Sequence, residues 1–275
     1  MLFVEKTAAE KRVDLRQGLK SGSILRFPGS HAPLVSLEIE RQGFDGIYIS
    51  GAALSADLCL PDIGLTTLSE VAQRGRQIAR VTSLPAIIDI DTGFGEPMSA
   101  ARTIQELEEL GIAGCHLEDQ ENPKRCGHLD NKSLVSRDDM ARKIMAAADA
   151  KRDPNFVLFA RTDARASEGM DAAIDRAKAY VDAGVDMVFP EGLTSKEELA
   201  QVCDAVDTKI HYNRTGVSPM LTLDELNELG VAMVSFATGA LRSSARAMWD
   251  FMHEFKERDV EAQKAFLAEV ADHPI

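Results

Sequence analysis

The sequence predicts a (β/α)8 barrel of the TIM type, one barrel domain spanning residues 1–275, and three observations carry that prediction. Short apolar runs recur along the chain, stretches of helical period alternate with them, and glycine follows four of the helical stretches. Runs that are apolar throughout, rather than at every second residue, suit strands buried on both faces, as in a parallel sheet wrapped by helices.

The strand candidates are residues 24–27, 46–50, 86–90, 114–118, 156–161, 187–190, 209–212 and 232–236. Helix candidates lie between them at 32–42, 68–82, 99–110, 137–150, 170–182, 195–206 and 223–229. Gly43, Gly111, Gly184 and Gly230 stand where a C-terminal cap belongs. An open doubly wound sheet is the competing arrangement. It is disfavoured because no GxGxxG follows the first strand, and Gly93-Phe94-Gly95 is too short and follows the third. Two further helical patterns, 239–256 and 260–271, exceed what a minimal barrel needs. The first carries Met248, Trp249, Phe251, Met252 and Phe255. Such a tail either closes the bottom or side of the barrel or packs on another subunit, and its aromatic content favours the subunit contact.

Bulk properties narrow the class. Of the 275 residues 45% are hydrophobic and 27% charged, as in an ordinary soluble globular protein. The formal charge of −13 argues against nucleic acid and anionic membranes as partners. No segment approaches the roughly 18 apolar residues of a membrane span, and the charged N-terminus has no export signal. Cys59, Cys115, Cys126 and Cys203 are too scattered for a disulfide framework or zinc site, so a reducing cytoplasm is expected.

In barrels of this kind the chemistry sits at the carboxyl ends of the strands. Here those ends read Ser50-Gly51, Asp89 and Asp91, Glu118 and Asp119, Arg161 and Asp163, Glu191, and Asn213. A two-residue spacing places Asp89 with Asp91, His116 with Glu118, and Arg161 with Asp163 on common faces. Converging carboxylates need protons or a cation, and oxygen ligands point to Mg²⁺ or Mn²⁺ rather than zinc. His116 is expected to be a hydrogen-bonded core residue, and Asp163 to support a neighbour or cap a helix.

No lysine closes a strand (Lys209 opens one), which disfavours Schiff-base chemistry, and no Gly-x-Ser-x-Gly elbow is present. After the turn signal Asn122-Pro123, the run Lys124-Arg125-Cys126-Gly127-His128 sets a thiol among cations, a setting that activates cysteine. With Lys124, Arg125 and Arg161 near the metal, the substrate is expected to carry several carboxylates. Cys126 then acts as general acid or base while an enolate develops. The residues thus point to a metal-assisted carbon–carbon lyase acting on an α-hydroxy or α-keto acid.

The run Lys124–His128 resembles the signature loop of the isocitrate lyase and phosphoenolpyruvate mutase superfamily. Further stretches match in the same order: Tyr48-Ile49-Ser50-Gly51, Leu60-Pro61-Asp62-Ile63-Gly64, Asp89 to Gly95, Glu118-Asp119-Gln120, Ala160 to Asp163, and Phe189-Pro190-Glu191. Within the superfamily the likeness is greatest to the methylisocitrate lyases. That resemblance implies cleavage of 2-methylisocitrate to pyruvate and succinate by a Mg²⁺-dependent homotetramer with exchanged C-terminal helices. It implies that Asp89 and Asp91 hold the metal, with Glu118 assisting through water. Ser50, Gly51, Ala52, Arg161 and Glu191 would bind the pyruvate-like end. Asn213, Thr215, Gly127, His128 and Arg242 would receive the distal carboxylates. Cys126 would return a proton from a mobile loop, in a charge environment set by Lys124, Arg125 and His128, and Tyr48 would help remove the hydroxyl proton. Relatives with the same core act as dimethylmalate lyases, oxaloacetate hydrolases or decarboxylases, or phosphonate-forming mutases, which makes them the alternative reading.

The chain departs from the methylisocitrate lyase pattern on one side only. Asn213-Arg214-Thr215-Gly216-Val217-Ser218 replaces Asn-x-Thr-Glu-Phe-Gly, Leu129 replaces an arginine, and Ser235-Phe236-Ala237-Thr238 replaces a strand ending in Tyr-Pro. The chain also stops short of a late arginine. All four differences fall on the distal-carboxylate side of the expected pocket.

Overall fold

The computed structural model describes residues 4–127 and 131–271. Its eight strands are β1 (Leu25–Pro28), β2 (Ile47–Ile49), β3 (Ala86–Asp89), β4 (Gly114–Glu118), β5 (Val157–Thr162), β6 (Met187–Pro190), β7 (Lys209–Asn213) and β8 (Val231–Phe236). Every pairing is parallel, in the order β1-β8-β7-β6-β5-β4-β3-β2. A bridge between Gly29 and Tyr48 brings β1 back beside β2. The result is the expected (β/α)8 barrel, whose near-closure leaves little sheet edge exposed.

The helices are α1 (Ala8–Lys20), α2 (Pro33–Arg41), α3 (Gly51–Asp57), α4 (Leu68–Ala79), α5 (Pro97–Glu109), α6 (Arg137–Asp149), α7 (Ala164–Ser167), α8 (Met170–Asp182), α9 (Lys196–Ala205), α10 (Leu223–Glu228), α11 (Gly239–Arg258) and α12 (Val260–Glu269). Gly43, Gly111, Gly184 and Gly230 all take positive φ, so the four stop signals act as caps.

Strands that are apolar on both faces divide their side chains between two packed layers. On β3, Ile88 joins the outer layer with Ile78, Ile104 and Leu107, while Ile87 points into the barrel with Phe159, Met187 and Met233. Full burial of each such side chain contributes about 1.5–3 kcal/mol.

The bottom of the barrel is closed by α1, an element the apolar pattern does not reveal. Its buried stripe is Lys11, Arg12, Leu15 and Leu19, so only two of its four buried residues are apolar. Leu15 and Leu19 plug the interior cluster. Lys11 Nζ donates to the Ala79 carbonyl at 2.8 Å, and Arg12 Nε to the Ile112 carbonyl at 2.9 Å. Long cationic stems cover apolar surface while their heads satisfy backbone oxygens. The legible sign of this helix is the capping box Thr7-Ala8-Ala9-Glu10.

The tail therefore does not close the bottom. Helix α11 buries no residue and packs on α12, with the Phe251 and Phe266 rings 4.7 Å apart. Met248, Trp249, Met252, Phe255 and Leu267 remain exposed. Among the described residues no helix is long and apolar enough to cross a membrane.

Candidate active site

The carboxyl ends of the strands converge on a cavity of about 660 Å³. Its wall holds Tyr48, Ser50, Ala52, Asp89, Lys124, Cys126, Gly127, Arg161, Glu191, Asn213, Thr215 and Arg242, so most of the expected site residues are brought together. Gly51, Asp91, Glu118 and Arg125 do not line it. Arg125 is exposed, and its backbone amide and carbonyl are both bonded by Gln120. His128 and Leu129 lie outside the described residues.

The first acidic pair forms differently from the strand-period expectation. Strand β3 ends at Asp89, and Asp91 sits in the following turn at φ 48°. Its amide donates to Asp89 Oδ1 at 3.0 Å, so a local turn, not a shared strand face, holds the two together. Gly51 donates its amide to Asp89 Oδ2 at 3.2 Å. A Cβ on Gly51 would stand 2.9 Å from that oxygen and 3.3 Å from Asp91 Oδ1, so both carboxylates crowd one point where only glycine fits. Lys124 turns toward this pair: its ammonium lies 2.9 Å from Asp91 Oδ1 and also bonds Asp62. Burial opposes the charge on Lys124, but Glu118, Asp91 and Asp89 outweigh it and raise its pKa. Burial and the neighbouring Asp89 push Asp91 up to about 6. Burial also disfavours ionisation of Asp89, yet His116, Lys124 and Arg161 hold its pKa below the ordinary value.

Arg161 is the cation of the opposite wall. Strand register places it beside Glu118, with Nε 3.3 Å from Glu118 Oε2. It donates to both oxygens of Asp163, at 3.0 and 3.1 Å, and lies 3.5 Å from Glu191. Gly127 rests on this cluster, since a Cβ there would stand 2.4 Å from Arg161 Nη2 and 2.9 Å from Glu191 Cγ. Glu118, its pKa raised well above normal by burial, keeps Oε1 buried with no hydrogen-bond partner.

Between these walls Tyr48 OH meets His116 Nε2 at 2.8 Å. Burial holds His116 neutral, down to about 4, and its Nδ1 faces Asp89 at 3.8 Å. A proton on Nδ1 is favoured by that carboxylate, which leaves Nε2 to accept from Tyr48. The Tyr48 oxygen is thereby presented to the cavity as an acceptor. His116 is indeed a hydrogen-bonded core residue.

On the distal side the polarity is reversed. Ser235 Oγ donates to Asn213 Oδ1 at 2.9 Å, so His211 Nε2, 2.8 Å from the same hydroxyl, must be the donor to Ser235. With its oxygen engaged, Asn213 offers its NH₂ to the cavity, a face suited to an anion. Thr215 Oγ1 instead accepts from the amides of Val217 and Ser218, at 3.2 and 3.0 Å, and stabilises its own turn. Asp62, Phe236, Thr238 and Leu241 also line the wall; the sequence marks the first three only as members of longer stretches and gives none of them a role. Asp62 stands in a Pro-Asp-x-Gly turn, which offers a signal. Phe236 and Thr238 lie in the altered end of the eighth strand, and Leu241 carries no signal that a linear reading could detect.

Fold and site together define a barrel enzyme with a cavity lined by charged side chains at the carboxyl ends of its strands. The family model for phosphoenolpyruvate phosphomutase matches residues 15–256. The chain is 53% identical over 250 residues to the probable 2-methylisocitrate lyase 1 of Corynebacterium glutamicum, covering 90% of this chain and 82% of that protein. Among solved structures it resembles 2,3-dimethylmalate lyase, with a TM-score of 0.86 and 34% identity over 92% of this chain and 86% of the other. It also resembles phosphonopyruvate hydrolase in complex with oxalate and Mg²⁺, with a TM-score of 0.83 and 28% identity over 98% and 99% of the two chains. The chain belongs to the phosphoenolpyruvate mutase and isocitrate lyase superfamily, and it is a lyase.

The close approach at Gly127 has a direct consequence. Gly127→Ala should leave the melting temperature within a few degrees while turnover falls about 10²-fold, the usual cost of ångström-scale displacement of reacting groups. Calorimetry with steady-state kinetics checks both.

Proposed function

We propose that this chain cleaves 2-methylisocitrate to pyruvate and succinate, with Mg²⁺ (or Mn²⁺) as cofactor and Cys126 as proton donor. The observation that carries the reading is that Tyr48, Cys126, Asp89 and Arg161 line one chamber. An acceptor and a thiol thus share a space with the groups that hold a charged acid. The 53% identity to a probable 2-methylisocitrate lyase supports this substrate over others.

The residues fit a hard divalent cation. Asp89 and Asp91 crowd one point, Asp91 is reluctant to ionise alone, and Glu118 Oε1 has no partner. Among the described residues no three acidic, His or Cys side chains form a ready cage. That suits Mg²⁺, which takes one or two carboxylates and leaves other positions to water and substrate. Asp89 and Asp91 would hold it, with Glu118 reaching it through water. When bound, Mg²⁺ supplies charge that polarises substrate oxygens and offsets the developing anion.

Arg161, with Ser50 and Ala52, holds the pyruvate-like end, and Asn213 with Arg242 takes a distal carboxylate. Tyr48 accepts the C2 hydroxyl proton as its own passes to His116. The C2–C3 bond then breaks: its electrons remain on the succinate carbon and C2 becomes the pyruvate carbonyl. Cys126 protonates that carbon. A second reading, a 2-hydroxydicarboxylate such as 2,3-dimethylmalate as substrate, is favoured by one feature: Phe236, Leu241 and Val217 line the distal wall, and Thr215 is engaged in its own turn. The exposed apolar face of α11 is covered, in this proposal, by a second copy of the chain within a tetramer, because a run of Met248, Trp249, Met252 and Phe255 is too large to leave in water. With none of the four cysteines in a disulfide, a reducing cytoplasm suits the protein.

Incubation with 2-methylisocitrate, isocitrate, 2,3-dimethylmalate and oxaloacetate should release pyruvate fastest from the first. Faster cleavage of dimethylmalate selects the second reading, and no turnover of any refutes both. Cys126→Ser should lose about 10²–10⁴-fold in kcat with substrate affinity retained, and near-normal turnover would remove the thiol from the mechanism. Mg²⁺ at about 100 times its dissociation constant should stabilise the fold by about 2.7 kcal/mol in thermal melts, an effect absent in Asp89→Asn. Light scattering at micromolar concentration should show a tetramer, with the emission of Trp249, the sole tryptophan, shifting to the red on dilution to monomers. A monomer at that concentration contradicts the assembly.

A further inference from the structure

Cys126 is held from both flanks by side chains that meet at one buried carboxylate. On the N-terminal flank, Gln120 bonds the Arg125 backbone reciprocally: the amide donates to Oε1 at 2.8 Å and Nε2 donates to the carbonyl at 2.9 Å. On the C-terminal flank, Lys132 Nζ donates to the Gly127 carbonyl at 2.8 Å. Both clamps converge on Asp163, with Gln120 Nε2 3.2 Å from Oδ2 and Lys132 Nζ 2.8 Å from Oδ1. The same carboxylate takes the paired bonds from Arg161, while Asp119 accepts the Asp163 amide at 2.9 Å and fixes the turn.

We propose that Lys132 is a positioning residue that fixes Cys126 relative to Arg161, through the Gly127 carbonyl and Asp163. Its side chain is only 3% exposed and does not itself line the cavity, although it bonds the carbonyl of Gly127, which does. It is the second cation on Asp163, beside Arg161, and it ties that carboxylate to the loop carrying the thiol. Backbone bonds alone leave a glycine-containing loop many conformations. A buried, charge-assisted bond to the residue after the thiol removes them, because breaking it strands an ammonium and a carboxylate away from water. The catalytic part of this inference rests on the reading of Cys126 as proton donor; the positional part does not.

The test therefore has two readouts. In the full-length protein, alkylation of each cysteine by iodoacetamide is followed by peptide mass spectrometry for wild type, Lys132→Met and Lys132→Arg. Loss of the clamp should speed labelling of Cys126 about tenfold, as expected for local opening of one loop, while the fully buried Cys115 stays unreactive. Arginine, which preserves the charge and reaches both acceptors, should restore slow labelling. In parallel, kcat for Lys132→Met should drop about 10²-fold with KM within about threefold, the pattern of a displaced reacting group. Unchanged labelling of Cys126, or equal rises at Cys126 and Cys115, would overturn the proposal. If wild type turns over none of the acids, the lyase reading fails while labelling still decides the role of Lys132.

Discussion

The structure depends on keeping Arg161 charged, largely buried and neutralised at the mouth of the barrel. A buried ion is tolerated only when several partners replace its water. Three acidic side chains do so: Asp163 by paired hydrogen bonds, and Glu118 and Glu191 at 3.3 and 3.5 Å. Burial opposes the charge on Arg161, but Asp163, Glu118 and Glu191 overcome it and hold its pKa well above normal. Arg161 and Lys132 in turn keep Asp163 ionised against burial, down to about 2. Removing any member leaves an uncompensated charge, so these positions constrain one another.

The same economy governs the opposite wall. Asp89 and Asp91 are set side by side, and Lys124, with its ammonium between Asp91 and Asp62, offsets part of their repulsion. The Lys124 ammonium is thereby engaged by carboxylates of this wall. Between the walls two hydrogen-bonded relays run in opposite senses. One ends in an accepting oxygen at Tyr48, the other in a donating amide at Asn213. A substrate that gives up a proton at one end and carries an anion at the other matches that polarity.

Much of this is legible in the amino-acid sequence. Glycines at the helix ends, apolar runs of strand length and polar strand termini locate the barrel, its catalytic rim and most of the cavity wall, because each is a local pattern with one physical cause. Helix α1 escapes such a reading because half of its buried stripe is lysine and arginine, whose stems and heads serve different environments. Spacing finds the Asp89–Asp91 pair but assigns it the wrong geometry, since two residues are equally far apart in sequence on a strand and in a turn. Ser235, His211 and Lys132 escape because their importance lies in which residue they touch, at separations of 22, 24 and 31 positions along the chain.

The sequence by itself determined the fold, the rim that carries the chemistry and the residue types available there, since periodicity and strand-end position are one-dimensional properties. Only the tertiary structure decided which charge neutralises which, and which tautomers and amide faces meet the cavity. It also decided that Lys124 meets Asp91 and Asp62 while Lys132 bonds the Gly127 carbonyl. Those outcomes depend on distances between chain-distant groups in a buried site, where a few tenths of an ångström separate a hydrogen bond from an unpartnered charge.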